Sequence, residues 1–273
     1  MDALVAYHHQ PPSEIGIEVE TELPIAISFS ADWHLGMPGC DYDAFTEDCN
    51  IVEVEPGLYV YVGGDAYQNI IQASKVGAGL EQAPVSVQRG LYVLTLKKLI
   101  DKVLCIGTGN HNYWSALATG EDWDAELAKR LKLVYTKHAA IVHLKVGQQV
   151  YTILRLHKGR FNSSFNLTHS CKQYQRMHCP DARIVVVEHH HVAALEAAQY
   201  NGRECIYIRP GTYGVYDDFA QQNGYFGAHV CNPTVILYPH EDRLVGMKDM
   251  HEAVIYLRAA RAEYEKQGEL AIS

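Results

Sequence analysis

Five apolar runs in this chain each end in residues of the kind that bind metal ions, and this recurrence restricts the fold more than any other feature. Ile25-Ala26-Ile27 leads into Phe29-Ser30-Ala31-Asp32-Trp33-His34. Leu58–Val62 leads into Gly63-Gly64-Asp65, and Val103–Ile106 into Gly107-Thr108-Gly109-Asn110-His111. Val150–Leu156 ends at His157, and Arg183–Val187 delivers Glu188-His189-His190-His191. The runs are rich in Val, Ile, Leu and Tyr and short enough for buried strands. Residues two apart in an extended segment point to one side, so Asp32 and His34 face a common point. Open α/β sheets gather ligands beyond the carboxyl ends of their strands. A fold that brings these ends to one rim builds a pocket of carboxylate, imidazole and amide oxygen.

The rest of the chain fits an α/β reading. Residues 1–22, with Pro11-Pro12 and several glutamates, read as an irregular lead-in. Asp41–Asn50 reads as a short helix. Tyr67–Val76 places Ile70, Ile71 and Val76 at roughly helical spacing. In Pro84–Ile100, Val87, Leu91 and Leu94 form an apolar seam behind a Pro suited to a first turn. Asp122 caps a helix over Trp123–Leu131. Ile141–Val146 and Val150–Leu156 form a hairpin about Gly147-Gln148. Asn201-Gly202 is a hairpin turn, which makes the alanine-rich Val192–Tyr200 a strand paired with Glu204–Arg209. Val235–Tyr238 and Leu244–Met247 are late strands. Glu252–Lys266 is an amphipathic helix with Ala253, Leu257, Ala260 and Tyr264 on one side, read as core packing, with a subunit contact as the alternative. No repeat or linker divides the chain, so 1–273 is expected to be one domain.

Composition excludes several classes. The net charge of −9 argues against binding nucleic acid through phosphate neutralisation alone. No apolar run is long enough to span a membrane, and Met1–Gln10 lacks the pattern of a secretory signal. The seven cysteines are scattered without a Cys-x-x-Cys pair, which points to free thiols and a cytoplasmic protein. Cys105 and Cys205 are expected in the core. There is neither a Gly-rich phosphate loop before a Lys nor a Ser nucleophile elbow.

Imidazole, carboxylate and Asn oxygen suit divalent transition metals, and two cations about 3.5–4 Å apart clamp the oxygens of an in-line displacement at phosphorus. The order Asp-x-His, Gly-Asp, Gly-Asn-His, a lone His and His-x-His resembles the calcineurin-like metallophosphoesterase family over Asp32–His191. Gln88, Trp114, the segment from Gly159-Arg160-Phe161 to Thr168-His169, and Arg209-Pro210-Gly211-Thr212-Tyr213 are similar to a branch found in phages and prophages.

The resemblance implies a four-layer αββα sandwich of two mixed β-sheets flanked by helices. It implies one metal held by Asp32, His34, Asp65 and His191 and another by Asp65, Asn110, His157 and His189. Asp65 is then the bridge, and His111 the acid or charge stabiliser beside the phosphate. His157, at a strand end, is preferred to His169 as the lone ligand; Arg160 and His169 are left as substrate-binding residues. The implied activity is hydrolysis of phosphodiesters or phosphomonoesters by a hydroxide between two cations, manganese foremost, with iron, zinc or nickel admitted. The substrate is a phosphate ester, with nucleotide or nucleic acid included, and a homo-oligomer is admitted. The alternative is a non-catalytic metal-binding scaffold with the same sandwich. Two positions depart from the family pattern. Glu188 stands where Gly usually precedes His-x-His, and Asn112 stands where an acidic residue usually follows Asn-His.

Overall fold

The computed structural model describes residues 12–71, 74, 83–216 and 228–272. Their order is β1 (Ser13–Val19), β2 (Ile25–Ser30), α1 (Tyr42–Val54), β3 (Leu58–Val62), α2 (Val85–Lys98), β4 (Val103–Ile106), α3 (Asn110–Thr119), α4 (Trp123–Leu131), β5 (Ala139–Val146), β6 (Gln149–Leu156), α5 (His169–His178), β7 (Ile184–Val187), β8 (Ala194–Tyr200), β9 (Arg203–Arg209), β10 (Thr234–Leu237), β11 (Leu244–Met247) and α6 (Met250–Ile272).

The strands form two mixed sheets, ordered β11-β10-β2-β3-β4 and β1-β5-β6-β7-β9-β8. In the first, β2, β3 and β4 run parallel, and β10 and β11 complete it antiparallel. In the second, β6, β7 and β9 are parallel, with β5 antiparallel to β6 and β8 to β9.

The period-two alternation of the strands sorts side chains into layers. Ile25, Ile27 and Phe29 of β2 meet Ile153 of β6, Ile184 and Val186 of β7 and Ile208 of β9 between the sheets. Ala26 and Val60 face the other way, against Phe45 of α1, Tyr92 and Leu96 of α2, and Leu257 of α6. Leu154, Val185 and Val187 turn outward against Cys171 of α5. The result is a helix–sheet–sheet–helix sandwich, as the resemblance implied. The face of α6 bearing Ala253, Leu257 and Ala260 is buried against the first sheet, which assigns it to packing. All seven cysteines are free and buried, Cys105 and Cys205 in the core as expected.

Four local expectations need correction. Part of the lead-in is β1, whose Ile15 and Ile17 alternate with polar residues and pair in parallel with β5. The helix expected over Tyr67–Val76 is absent from 67–71, and Val76 lies outside the described residues. The seam Val87-Leu91-Leu94 of α2 faces solvent at 49 %, 39 % and 65 % exposure, while Gln88, Tyr92 and Leu96 are buried. Gln88 is tolerated inside because its amide is hydrogen-bonded to Asn69 N and Ala83 O. Two helices, α3 and α5, have no counterpart among the expected elements.

Candidate metal centre

The carboxyl ends of β2, β3, β4, β6 and β7 supply the loops that carry the expected ligands. The first two loops are laced together by backbone bonds from Asp32 N to Gly64 O (2.9 Å), His34 N to Asp65 O (3.0 Å) and Leu35 N to Ala66 O (3.2 Å). Between Asp32 and His34, Trp33 is anchored in the core by edge contacts with Phe45 and Tyr92. Asp32 and His34 share a side for a reason other than the pleat. Both have left-handed φ, +52° and +49°, as do Asp65 at +55°, His189 at +76° and His191 at +59°. Non-Gly residues in that region cost about 1–3 kcal/mol each and concentrate at functional sites.

Two glycines permit the loops to close. A Cβ on Gly64 would lie 2.5 Å from His157 Nδ1 and 2.6 Å from Gly109 N, and one on Gly109 would lie 2.1 Å from Asp65 Oδ1. Gly109 is also the cap of α3. The N–H of His111, in the first turn of that helix and without an intrahelical acceptor, donates to Asp65 Oδ1 at 2.8 Å, as a helix N-terminus favours a carboxylate.

The side chains converge in two groups whose donor atoms lie within 4.8 Å of one another, Asp32-His34-His191 and Asp32-Asp65-His157-His189. In the first, His34 Nε2 and His191 Nε2 are 3.0 Å apart and His191 Nε2 lies 3.5 Å from Asp32 Oδ1. In the second, His157 Nε2 lies 3.1 Å from both Asp65 Oδ2 and Asn110 Oδ1, and His189 Nδ1 lies 4.0 Å from Asp65 Oδ2. Donors about 2.1 Å from one cation are separated by about 3 Å at right angles and about 3.4 Å tetrahedrally, so the spacings of 3.0–3.5 Å suit N/O coordination, while His189 stands farther from Asp65. The carboxylate common to both groups is Asp32; Asp65 stands in the second.

Hydrogen bonds behind the ligands fix which ring nitrogen faces inward. His34 Nδ1 is 2.7 Å from Gln68 Oε1, which accepts its proton and leaves Nε2 as a lone pair. His157 Nδ1 is 3.1 Å from Glu188 Oε2. The carboxylate of Glu188 is itself held by Arg155 Nε (2.8 Å), Arg155 NH2 (2.7 Å) and Gly64 N (2.8 Å), with Arg155 also donating to Lys137 O. Arg155 and Glu188 are at most 1 % exposed.

The electrostatics describe an anionic cavity. Burial would raise the Asp32 carboxyl, but His191 outweighs it and holds it at about 2. Asp65 is held well below the carboxylate range against burial, by His157 and His111. His157 is pushed up to about 10 because Asp65 and Glu188 overcome its burial. Burial, with His111 and His191 beside it, drives His34 down to about 3. Imidazoles thus take up protons where cations would otherwise balance Asp32 and Asp65. Asp32 Oδ1, Asp65 Oδ2 and His189 Nδ1 are nonetheless buried with no well-directed hydrogen bond, facing only one another's groups and imidazoles 3.1–4.0 Å away. Buried polar atoms without such a bond are rare and call for an occupant.

His111 stands beside the groups. Its Nδ1 is 2.8 Å from the Gln68 carbonyl, which can only accept, so Nε2 is the free nitrogen. Its ring lies 4.1 Å from that of Trp114 and 4.7 Å, edge-on, from that of His34. Burial lowers its proton affinity despite the opposing pull of Asp65.

The structure thus brings together Asp32, His34, Asp65, Asn110, His111, His157, His189 and His191. Arg160 is exposed and bonded through its backbone N to Tyr174, and His169 starts α5; neither belongs to the groups. His157, not His169, is the lone histidine placed there. Asn112 accepts from Ala66 N at 3.1 Å, bracing the loop that carries Asp65. Sequence reasoning missed Gln68 and Arg155. A lone Arg among Ile153, Leu154 and Leu156 is a usable signal, because unpaired Arg is almost never buried. Gln68 had none.

Neither a protein-family model nor a curated protein matches the chain. Among solved structures it is similar to the calcineurin-like phosphoesterase YfkN from Bacillus subtilis, at 11% identity and TM-score 0.47, over 90% of this chain and 98% of that one. It is also similar to Vps29 complexed with zinc from Entamoeba histolytica, at 14% identity and TM-score 0.41, over 81% and 89%.

Proposed function

We propose that this chain is a two-metal phosphoesterase of the calcineurin-like kind, hydrolysing an organic phosphate ester. The observation that carries the proposal is the set of buried atoms without a well-directed hydrogen bond, Asp32 Oδ1, Asp65 Oδ2 and His189 Nδ1, at the centre of two Asp/His groups. Histidine and carboxylate donors without thiolate fit manganese, iron, zinc or nickel, and manganese is the ion to load first. His34, His191 and Asp32 would hold one cation. His157, His189, Asn110 and Asp65 would hold the other, and Asp32 lies within reach of both groups. When bound, such a pair supplies charge for the phosphoryl oxygens and a nucleophile at neutral pH.

The chain's own groups do the rest. Gln68 and Glu188 hold His34 and His157 in the tautomer that turns a lone pair inward. Arg155 neutralises Glu188, so the carboxylate orients His157 without adding uncompensated charge. The fixed donor bond to the Gln68 carbonyl leaves His111 Nε2 to take a proton and pass it to the departing ester oxygen. The substrate's negative charge favours that protonation, against the burial that lowers it. Glu188 and Asn112, the two features behind the scaffold alternative, both brace ligand-bearing loops.

The test is turnover of bis(p-nitrophenyl) phosphate by metal-stripped protein with and without manganese, beside Asp65→Asn. Manganese-dependent release of nitrophenolate that Asp65→Asn abolishes is expected. Metal binding without turnover on diester or monoester substrates would return the scaffold alternative.

A further inference from the structure

Resting on the two-metal reading, we infer that the cleft beside Asn110 and His157 is a subsite for an aromatic ring in the organic part of the ester. The helix α3 places Asn110, Tyr113, Trp114 and Leu117 at i, i+3, i+4 and i+7, which is one face. With His157 and Lys158 opposite, this face lines a cavity of about 290 Å³. The cleft therefore begins at two proposed ligands and runs outward along apolar side chains.

Those side chains are not used by the fold. Tyr113, Trp114 and Leu117 belong to none of the three hydrophobic cores of the described residues. Leu117 keeps 70 % of its surface in water. The two rings are nevertheless held in place. Trp114 lies over His111 at 4.1 Å, and Tyr113 meets His138 edge-on at 4.6 Å. Fixed rings lose little freedom on binding, so a second ring stacks on them at low entropic cost.

The chemistry of the walls defines the occupant. Besides Asn110 and His157, the side-chain polar groups of the lining are those of His138 and Lys158, the Tyr113 hydroxyl and the Trp114 N–H, set in walls that are otherwise apolar. Recognition is therefore by the flat face, which every nucleobase and aryl group has. The volume sits at the small end of small-molecule sites, which suits one ring system rather than a length of polymer. The acid His111 sits beneath Trp114, so a ring seated here also sets the ester next to the proton donor.

The test uses the manganese-loaded full chain and two anions that differ in the ring, phenylphosphonate and methylphosphonate, titrated by calorimetry and by Trp fluorescence. Phenylphosphonate is expected to bind about 10-fold more tightly, the size of one stacking contact. Leu117→Gln and Tyr113→Leu, both outside the cores, should cut that preference to under about 3-fold while leaving methylphosphonate affinity unchanged. Manganese-dependent binding with no preference for the ring overturns the inference and leaves the face to another protein chain. An unchanged preference in both variants overturns it as well. Absence of manganese-dependent binding of either anion sinks the metal reading and this one with it. Thymidine 5′-methylphosphonate separates the sources of the ring. A gain at least equal to that of phenylphosphonate marks a nucleobase, and a smaller one marks an aryl ester.

Discussion

Replacing Glu188 by glutamine tests the support behind the centre. The carboxylate is 1 % exposed and accepts two bonds from Arg155, one from Gly64 N and one from His157 Nδ1. Glutamine keeps the volume and removes the charge, leaving the buried Arg155 unpaired. Breaking a buried pair from one side costs about 3–5 kcal/mol. At about 2–4 °C per kcal/mol for a chain of this size, the midpoint should fall by roughly 10 °C. Arg155→Met alone should cost a similar amount. The double variant removes both charges and should cost less than the sum of the singles by about 2 kcal/mol or more. Metal affinity should divide differently. Glu188→Gln and the double variant both take the carboxylate from His157 and should lose about 10- to 100-fold, whereas Arg155→Met keeps that bond and should lose less. Thermal melts of the four proteins give the cycle, and manganese titration the affinities. Additive singles, or equal metal losses for Arg155→Met and Glu188→Gln, would refute the reasoning.

His111→Ala should keep its metal and lose about 10²- to 10⁴-fold in turnover on esters with poor leaving groups, and less on nitrophenyl esters, as steady-state kinetics with metal analysis would show. Gly109→Ala would put a Cβ 2.1 Å from Asp65 Oδ1, a carboxylate pinned by His111 N. It should therefore bind manganese at least about 10-fold more weakly in a titration. Burial pushes the Asp124 carboxyl up to about 6, against donors Thr108 and Asn112. Between about pH 4 and 6 the folded chain then binds more protons there than the unfolded one, so this group's contribution to stability falls as pH rises, by about 3 kcal/mol at 1.36 per pKa unit. The stability of Asp124→Asn minus that of wild type should accordingly rise between pH 4 and pH 7 in urea melts; a constant difference would contradict it.

The strand ends were legible because strand runs and ligand types are both local. Asp32, Asp65, Asn110, His157 and the His-x-His pair follow β2, β3, β4, β6 and β7, and periodicity places all five strands. The Asn-Gly turn likewise recovered β8 against its alanine content, with Asn201 at φ +50° and Gly202 at +73°. What escaped depends on tertiary partners. The left-handed φ of Asp32 and His34 accompanies lacing to the Asp65 loop, and that of His189 a bond from its N–H to Asp32 Oδ2, partners that no local pattern encodes. The pairing of Arg155 with Glu188 spans 33 positions, and that of Gln68 with His34 spans 34. Helix α2 turned the opposite way from its apolar seam because Gln88 is drawn inside by the Asn69 N–H at 2.8 Å and the Ala83 carbonyl at 2.7 Å. A polar residue satisfied by backbone reads as a surface residue from sequence alone.

The most direct measurement is the metal content of the purified chain after reconstitution with manganese and removal of free ion, taken by elemental analysis on wild type and on Asp32→Ala/Asp65→Ala. The two groups around Asp32 and Asp65 predict close to two ions per wild-type chain and none on the double variant. A wild-type chain that holds no metal, or a double variant that holds as much as wild type, would contradict the account.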